Sequence, residues 1–389
     1  MSLATASKLA SCGIRVAASA LASTTEAVKA VRDALEDGRY QHILAFFSIE
    51  HDGAVLAAAL AEAFPEIPVS GCSTAGEIGP LGLMQGGLVL LAFPEEGFRI
   101  LSEAIPDSTR AGVEHATAIA RRLKIQISDS RRIMGHTFAL MFTDGLANKE
   151  EALTAAVHWG LDNIELIGGS AGDGLAFRKT TLLHKSRIVE ASALLFVIDS
   201  SYPFRVFKTQ NFEPTPVKLV VTAADTENRI VYELNAEPAS REYAAAIGLL
   251  PDDLGPFSFA SYPLVVKVGG DYYCRSIRNM NPDGSLSFFC AIDEGLVFTV
   301  ARPRDMVRST LDTLEEIDRS LGGTDIIIGF DCILRRLDAE SRQVRHTVDE
   351  IYRRFNVMGF HTYGEQYNAM HLNQTLTGIA FGKLDPLPS

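Results

Sequence analysis

Three places in the chain set hydroxyl side chains beside a glycine and a carboxylate, a combination suited to holding a small polar molecule at both ends. They are Ser73, Thr74, Gly76 and Glu77; Ser170, Gly172 and Asp173; and Thr362, Gly364 and Glu365. The carboxylates would take an ammonium group, while the hydroxyls and the backbone N–H groups near the glycines would take a carboxylate. The third place also packs His361 and His371, followed by Asn373, into one short loop region, so the ligand is expected there.

Each place closes a strand–helix–strand run. Residues 42–48 form an apolar, aromatic stretch, and a helix from about His51 to Phe64 carries Leu56, Leu60 and Phe64 on one face. Residues 136–144 and a helix over 148–160 repeat the order, with Asn148 as the expected cap and Glu151 as its capping-box partner. Residues 324–338, a polar helical run with Val344, Val348, Ile351 and Phe355 as its stripe, and residues 357–383 repeat it again. Strands joined by a helix of that length pair in parallel through right-handed crossovers. Gly76-Glu77, Gly172-Asp173 and Gly364-Glu365 are then read as equivalent turns at the carboxyl ends of strands, where open α/β sheets bind ligands. The plainer alternative is that each glycine only lets the chain leave its strand sharply.

Around these units the chain reads as mixed α/β with additional antiparallel strands. Its 389 residues suggest two domains, residues 1–213 and 214–389, with the proline-bearing segment that begins at Asn211 as the boundary. An apolar fraction of 47% supports a sizeable core, and a net charge of −12 without a basic cluster argues against nucleic acid or an anionic membrane as partner. The apolar runs are strand-sized and none reaches the ~18–20 residues of a membrane span. Five scattered cysteines with no C-x-x-C pair argue for a reducing compartment and against a zinc site. Cys72 and Ser73 lie in no G-x-S-x-G elbow, and no phosphate loop or zinc-protease helix occurs, so an enzyme is not expected.

The stretches 71–78, 142–146 and 167–174 resemble the N-terminal signature of the FIST sensory domains, and 359–365 with 371–375 resembles that of their C-terminal half. The resemblance implies a cytoplasmic ligand-sensing module with output to a separate protein, since no kinase or cyclase segment is present; the many strand edges of the chain would allow it to pair with itself as a homo-oligomer. Residues 331–337 and 363–375 are similar to a branch described as haem-binding nitric-oxide sensors acting in trans on a histidine kinase. That likeness implies haem b, with His371 as axial ligand to the iron, and a histidine kinase or a diguanylate cyclase or phosphodiesterase as partner. Asn373 or a backbone carbonyl would fix the tautomer of His371, and His361 is the second candidate ligand. Cys332 is the third, as a thiolate favoured by Arg335 or Arg336. The alternative is a haem-free module for a small metabolite such as an amino acid, held by Ser73, Thr74, Glu77, Ser170, Asp173, Thr362 and Glu365.

Overall fold

The computed structural model describes residues 4–36, 38–106, 112–129, 135–268 and 270–383. Three mixed sheets enclose a common interior, each built on one crossover, so the α/β class is as expected. In the first, Tyr40–Phe47 and Val69–Ser73 pair in parallel across the helix Gly53–Ala63. The second pairs His136–Thr143 with Glu165–Ser170 across Glu150–Leu161. The third pairs Thr324–Cys332 with Val357–Thr362 across two helices, Ile333–Ser341 and Arg345–Arg354, where the sequence suggested one. Gln343, at φ 59°, breaks the helical path between them.

One glycine position marks the common register. A side chain at Gly71, Gly168 or Gly359 would run into the carbonyl of Ala45, Met141 or Gly329 on the neighbouring strand. An antiparallel strand flanks each first parallel strand: Leu88–Pro94, Ala191–Ser200 and Thr375–Gly382. Thr5–Leu9 extends the first sheet at its edge, a strand the sequence did not suggest.

The inner faces meet in an aromatic core. Phe46 and Phe142 stand edge to face at 5.4 Å, Phe142 and Phe330 at 5.9 Å, and Phe46 packs on Phe360 at 4.6 Å. All four rings are buried, and such pairs contribute about 0.5–1.5 kcal/mol beyond their area burial. Helices cover the outer faces with separate apolar clusters, such as Leu56 and Leu60 on the first sheet and Leu153 and Val157 on the second.

The hairpin after each turn joins a sheet other than its own. Glu77–Gly79 and Gly82–Met84 extend the third sheet at Val357–Thr362. Leu182–His184 and Arg187–Val189 extend the first at Val69–Ser73. Glu365–Tyr367 and Met370–Leu372 extend the second at Glu165–Ser170. Three backbone hydrogen bonds close this exchange into a ring: Ala75 N to His361 O at 2.9 Å, Gly172 N to Ser73 O at 3.0 Å, and Tyr363 N to Ser170 O at 3.3 Å.

Between Phe204–Gln210 and the helix Met306–Ser320 the chain makes a fourth sheet, starting with Phe212–Asp225 and ending with Val297–Pro303. Its first and last strands run side by side, Phe212 opposite Pro303. Phe204–Gln210 pairs with Thr375–Gly382, so the last part of the chain completes a body begun by the first half. The expected boundary at 213/214 falls inside the strand Phe212–Asp225. The expected capping box at Asn148 does not form: Lys149 holds the cap position and its side chain does not cap the helix, while Glu151 binds Arg229 of the fourth sheet instead, at 2.6 Å. Among the described residues no helix is long and apolar enough to cross a membrane.

Candidate functional site

The glycine register settles which turns correspond. Glu77 pairs opposite Phe360, Glu365 opposite Gly169, and Leu182 opposite Cys72, so the counterpart of the two glutamates in the second unit is Leu182. Asp173 lies earlier, in a longer loop, and the expected equivalence of Gly172-Asp173 with Gly76-Glu77 and Gly364-Glu365 is corrected by that extension. Its carboxylate accepts N–H groups from Phe177 and Arg178, both at 2.8 Å, from Lys179 at 2.9 Å, and the Tyr363 hydroxyl. Burial pushes this carboxyl up, but the hydroxyl and the three N–H groups outweigh it and hold it below the usual range. Asp173 therefore organises its loop.

The first and third turns share one geometry. Thr74 Oγ1 donates to Glu77 Oε1 at 2.5 Å, and Gly87 N donates to Oε2 at 2.9 Å. Likewise the Thr362 hydroxyl donates to Glu365 Oε1, while Thr375 donates its hydroxyl to Oε2 at 2.7 Å. Burial pushes Glu77 up to about 7 and Glu365 up to about 8. Ser73 and Ser170 are turned inward: Ser73 Oγ accepts Thr181 N at 2.9 Å, and Ser170 Oγ lies 2.8 Å from Thr143 Oγ1. Neither serine is placed to touch a ligand.

The surroundings of the two turns differ. Above the first lies a cleft of about 220 Å³ bounded by Ser48, Glu50, Thr74, Gly76, Gln85 and Arg336, with Asp173 and Gly174 on its rim. Arg336 reaches it from the helix Ile333–Ser341, donating Nη1 to Ala75 O at 2.7 Å and Nε to Glu340 at 2.9 Å, with the Gln85 carboxamide against its guanidinium. This places a cation with spare N–H groups among carboxylates and backbone, a set able to hold a small anionic or zwitterionic molecule. Arg335, named with Arg336 from the sequence as a partner for Cys332, is wholly buried. Its Nε donates to Asp331 at 2.7 Å, and its two terminal nitrogens donate to Asn211 and Thr310 at 3.0 Å. Helical phase separates the two arginines, and the spacing of Arg336 to Glu340 was the available signal.

The third turn is closed. Tyr363 packs at a tilt on Phe177, ring centres 4.7 Å apart, and lies 6.1 Å from Phe289, just past the strand Leu286–Phe288 of the fourth sheet, while Gln374 Nε2 donates to Ala260 O at 2.9 Å. His371 is buried beneath, its Nδ1 3.3 Å from Gln366 Nε2. Asn373 Nδ2 donates instead to Tyr363 O at 3.0 Å, so Gln366, and not Asn373, addresses the imidazole. Burial lowers His371 to about 4, which keeps it neutral at pH 7 and chemically able to ligate a metal. Yet its ring is packed against the Gly364 backbone, leaving no room there even for a methyl group. His361, also lowered to about 4 by burial, has neither ring nitrogen hydrogen-bonded and sits 3.6 Å from Asp331. Burial holds the Cys332 thiol protonated, well above its usual range, so it offers no thiolate. Five surface clefts of about 220 to 730 Å³ are lined without His371, His361, Cys332 or Arg335. With Arg335 committed to Asp331 and the His371 ring packed against the Gly364 backbone, these residues do not fit a haem in this arrangement.

Thr74, Glu77 and Asp173 therefore meet at the open cleft, and Thr362, Glu365, His371 and Asn373 lie in its sealed counterpart. A FIST N domain model matches residues 41–237 and a FIST C domain model matches residues 239–368. An uncharacterized protein of Methanocaldococcus jannaschii is 25% identical over 286 residues, which cover 72% of this chain and 50% of that protein. The chain spans about half the length of this curated relative.

Proposed function

The chain belongs to the FIST family of sensory, small-ligand-binding modules, and on that premise we propose that it senses a small carboxylate-bearing metabolite such as an amino acid. The observation that carries this reading is the Arg336 guanidinium turned into a cleft of about 220 Å³ beside Thr74 and Gly76. In this reading Arg336 takes the carboxylate by charge-assisted hydrogen bonds. Glu50, at the mouth, takes the ammonium group.

The signal travels through the helix Ile333–Ser341. Asp338 on that helix accepts the Ser261 hydroxyl of the inserted segment at 2.9 Å, and Arg335 holds Asn211 where the chain leaves for the fourth sheet. A ligand that draws Arg336 away from Ala75 O favours one setting of this helix over another. The output goes to a separate cytoplasmic protein, a histidine kinase or a diguanylate cyclase or phosphodiesterase. Haem-based nitric-oxide sensing through His371 is the competing reading, and no contact around His371 favours it.

The test is a thermal-shift screen of the full chain against the proteinogenic amino acids and small dicarboxylates. At least one is expected to raise Tm in wild type and to leave Arg336→Ala unmoved. A flat screen, together with a haem absorbance band that disappears in His371→Ala, would overturn the proposal.

A further inference from the structure

The helix Glu150–Leu161 is gripped at one end and bare at the other. At its first turn, Arg229 of the fourth sheet is buried against Glu150 at 2.9 Å and Glu151 at 2.6 Å, and Ala291 N donates to Glu151 at 2.7 Å. Nine residues beyond Glu150, about 13 Å along the axis, the same helix presents Trp159, the single tryptophan of the chain, at 73% exposure. Ile125, on the neighbouring helix Gly112–Ser128, is 59% exposed, and the two line a surface cleft of about 590 Å³ together with Arg121 and Lys124. The cleft floor is rigid because Gly160 lets the two helices approach so closely that a Cβ there would press on the Thr117 carbonyl.

Chance exposure of one apolar residue is ordinary, so the matching position elsewhere in the fold is the useful control. Counted from the corresponding buried residues Leu56 and Leu153, Trp159 matches Glu62 in the first unit and His158 matches Ala61. The scaffold thus tolerates a solvated carboxylate at this place, and the second unit carries an indole there. Tryptophan and arginine side by side are the residue types that dominate binding energy at protein interfaces.

We propose that this cleft is a docking surface for an acidic amphipathic segment of a partner protein. An apolar side chain of the partner fills the space between Trp159 and Ile125, and its carboxylates face Arg121 and Lys124. Charge selects this occupant. Arg121 has no ion-pair partner among the described residues, and Lys124 is held only by Asp162, at 3.1 Å, whose side chain is largely exposed. Such surface pairs contribute about 0–1 kcal/mol and exchange readily for a better partner. A second copy of this chain, with net charge −12, brings general repulsion to the same encounter. The docking end and the end clamped by Arg229 belong to one helix, so a shift of the fourth sheet can reach the bound partner.

The test is selection of a random peptide library displayed on phage against the full chain, with counter-selection on Trp159→Glu. Expected are acidic sequences carrying a leucine or aromatic anchor, binding Trp159→Glu and the Arg121→Glu, Lys124→Glu double variant at least tenfold more weakly than wild type. Equal melting temperatures for all three proteins exclude misfolding as the cause. Sequences that are basic, or that bind Trp159→Glu undiminished, overturn the proposal. So does sedimentation showing a wild-type dimer that Trp159→Glu dissolves, since the occupant would then be a second copy.

Discussion

Thr74-Ala75-Gly76-Glu77 and Thr362-Tyr363-Gly364-Glu365 are the same turn built twice, with the same threonine-to-glutamate bond and the same place in the hairpin exchange. One difference between them, a methyl group at Ala75 against a phenol ring at Tyr363, decides which turn lies beneath an open cleft. The ring fills the space above the third turn and bonds to the Asp173 loop, while the methyl leaves a cleft that Arg336 enters. Pseudo-symmetry thus supplies several candidate sites, and side-chain volume selects among them.

The largest expected effect separates the two neighbouring arginines. Arg335→Ala strands Asp331 in the interior and should cost about 3–5 kcal/mol in urea denaturation. Next, Tyr363→Ala should cost about 3 kcal/mol as a cavity opens above the third turn, and a stability change near zero would mean that this ring is not the seal. Gly364→Ala, which forces a methyl into the His371 ring, should cost about 1–3 kcal/mol by overpacking. Arg336→Ala should change stability least of these, by about 1 kcal/mol, as for one hydrogen-bonded group.

The smallest effect is on pH dependence. Glu77 and Glu365 have folded values of about 7 and about 8 against 4.5 when unfolded, so the stability they contribute is full below pH 4.5. It is lost as pH rises through 7 to 8. Glu365→Gln should flatten the fall of Tm over that window more than Glu77→Gln does. His361 and His371 act in the opposite sense, with folded values of about 4 against 6.5. Their contribution is full above pH 6.5 and is lost as pH falls through 4, which Tm measured down to pH 4 would register.

The three crossovers were legible because apolar spacing such as Leu56, Leu60 and Phe64 is a local property of the sequence. The turn equivalence slipped at Asp173 because a Gly-acid pair matches locally, whereas the extra loop before Leu182 shows only once strands are paired. The sheet each hairpin would join was invisible for the same reason, since an edge strand such as Glu77–Gly79 carries no local mark of its neighbour. Arg336 was weighed only beside Arg335, as an aid to the Cys332 thiolate, because their roles divide according to where the helix begins, at Ile333. The pairing of Phe204–Gln210 with Thr375–Gly382 was not legible, because nothing in residues 204–210 announces a partner about 170 residues away.

The hairpin exchange makes the three-sheet body resistant to dissection. A fragment ending after the first or the second repeat would keep a bare strand and lack the borrowed hairpin that should shield it, so separately expressed pieces are expected to aggregate until mixed. The seam that can be cut lies elsewhere: Arg304 N donates to Asn211 O at 2.6 Å, so the two stems of the excursion already touch. Splicing them with a short turn should yield a smaller soluble body that has lost its covering lobe.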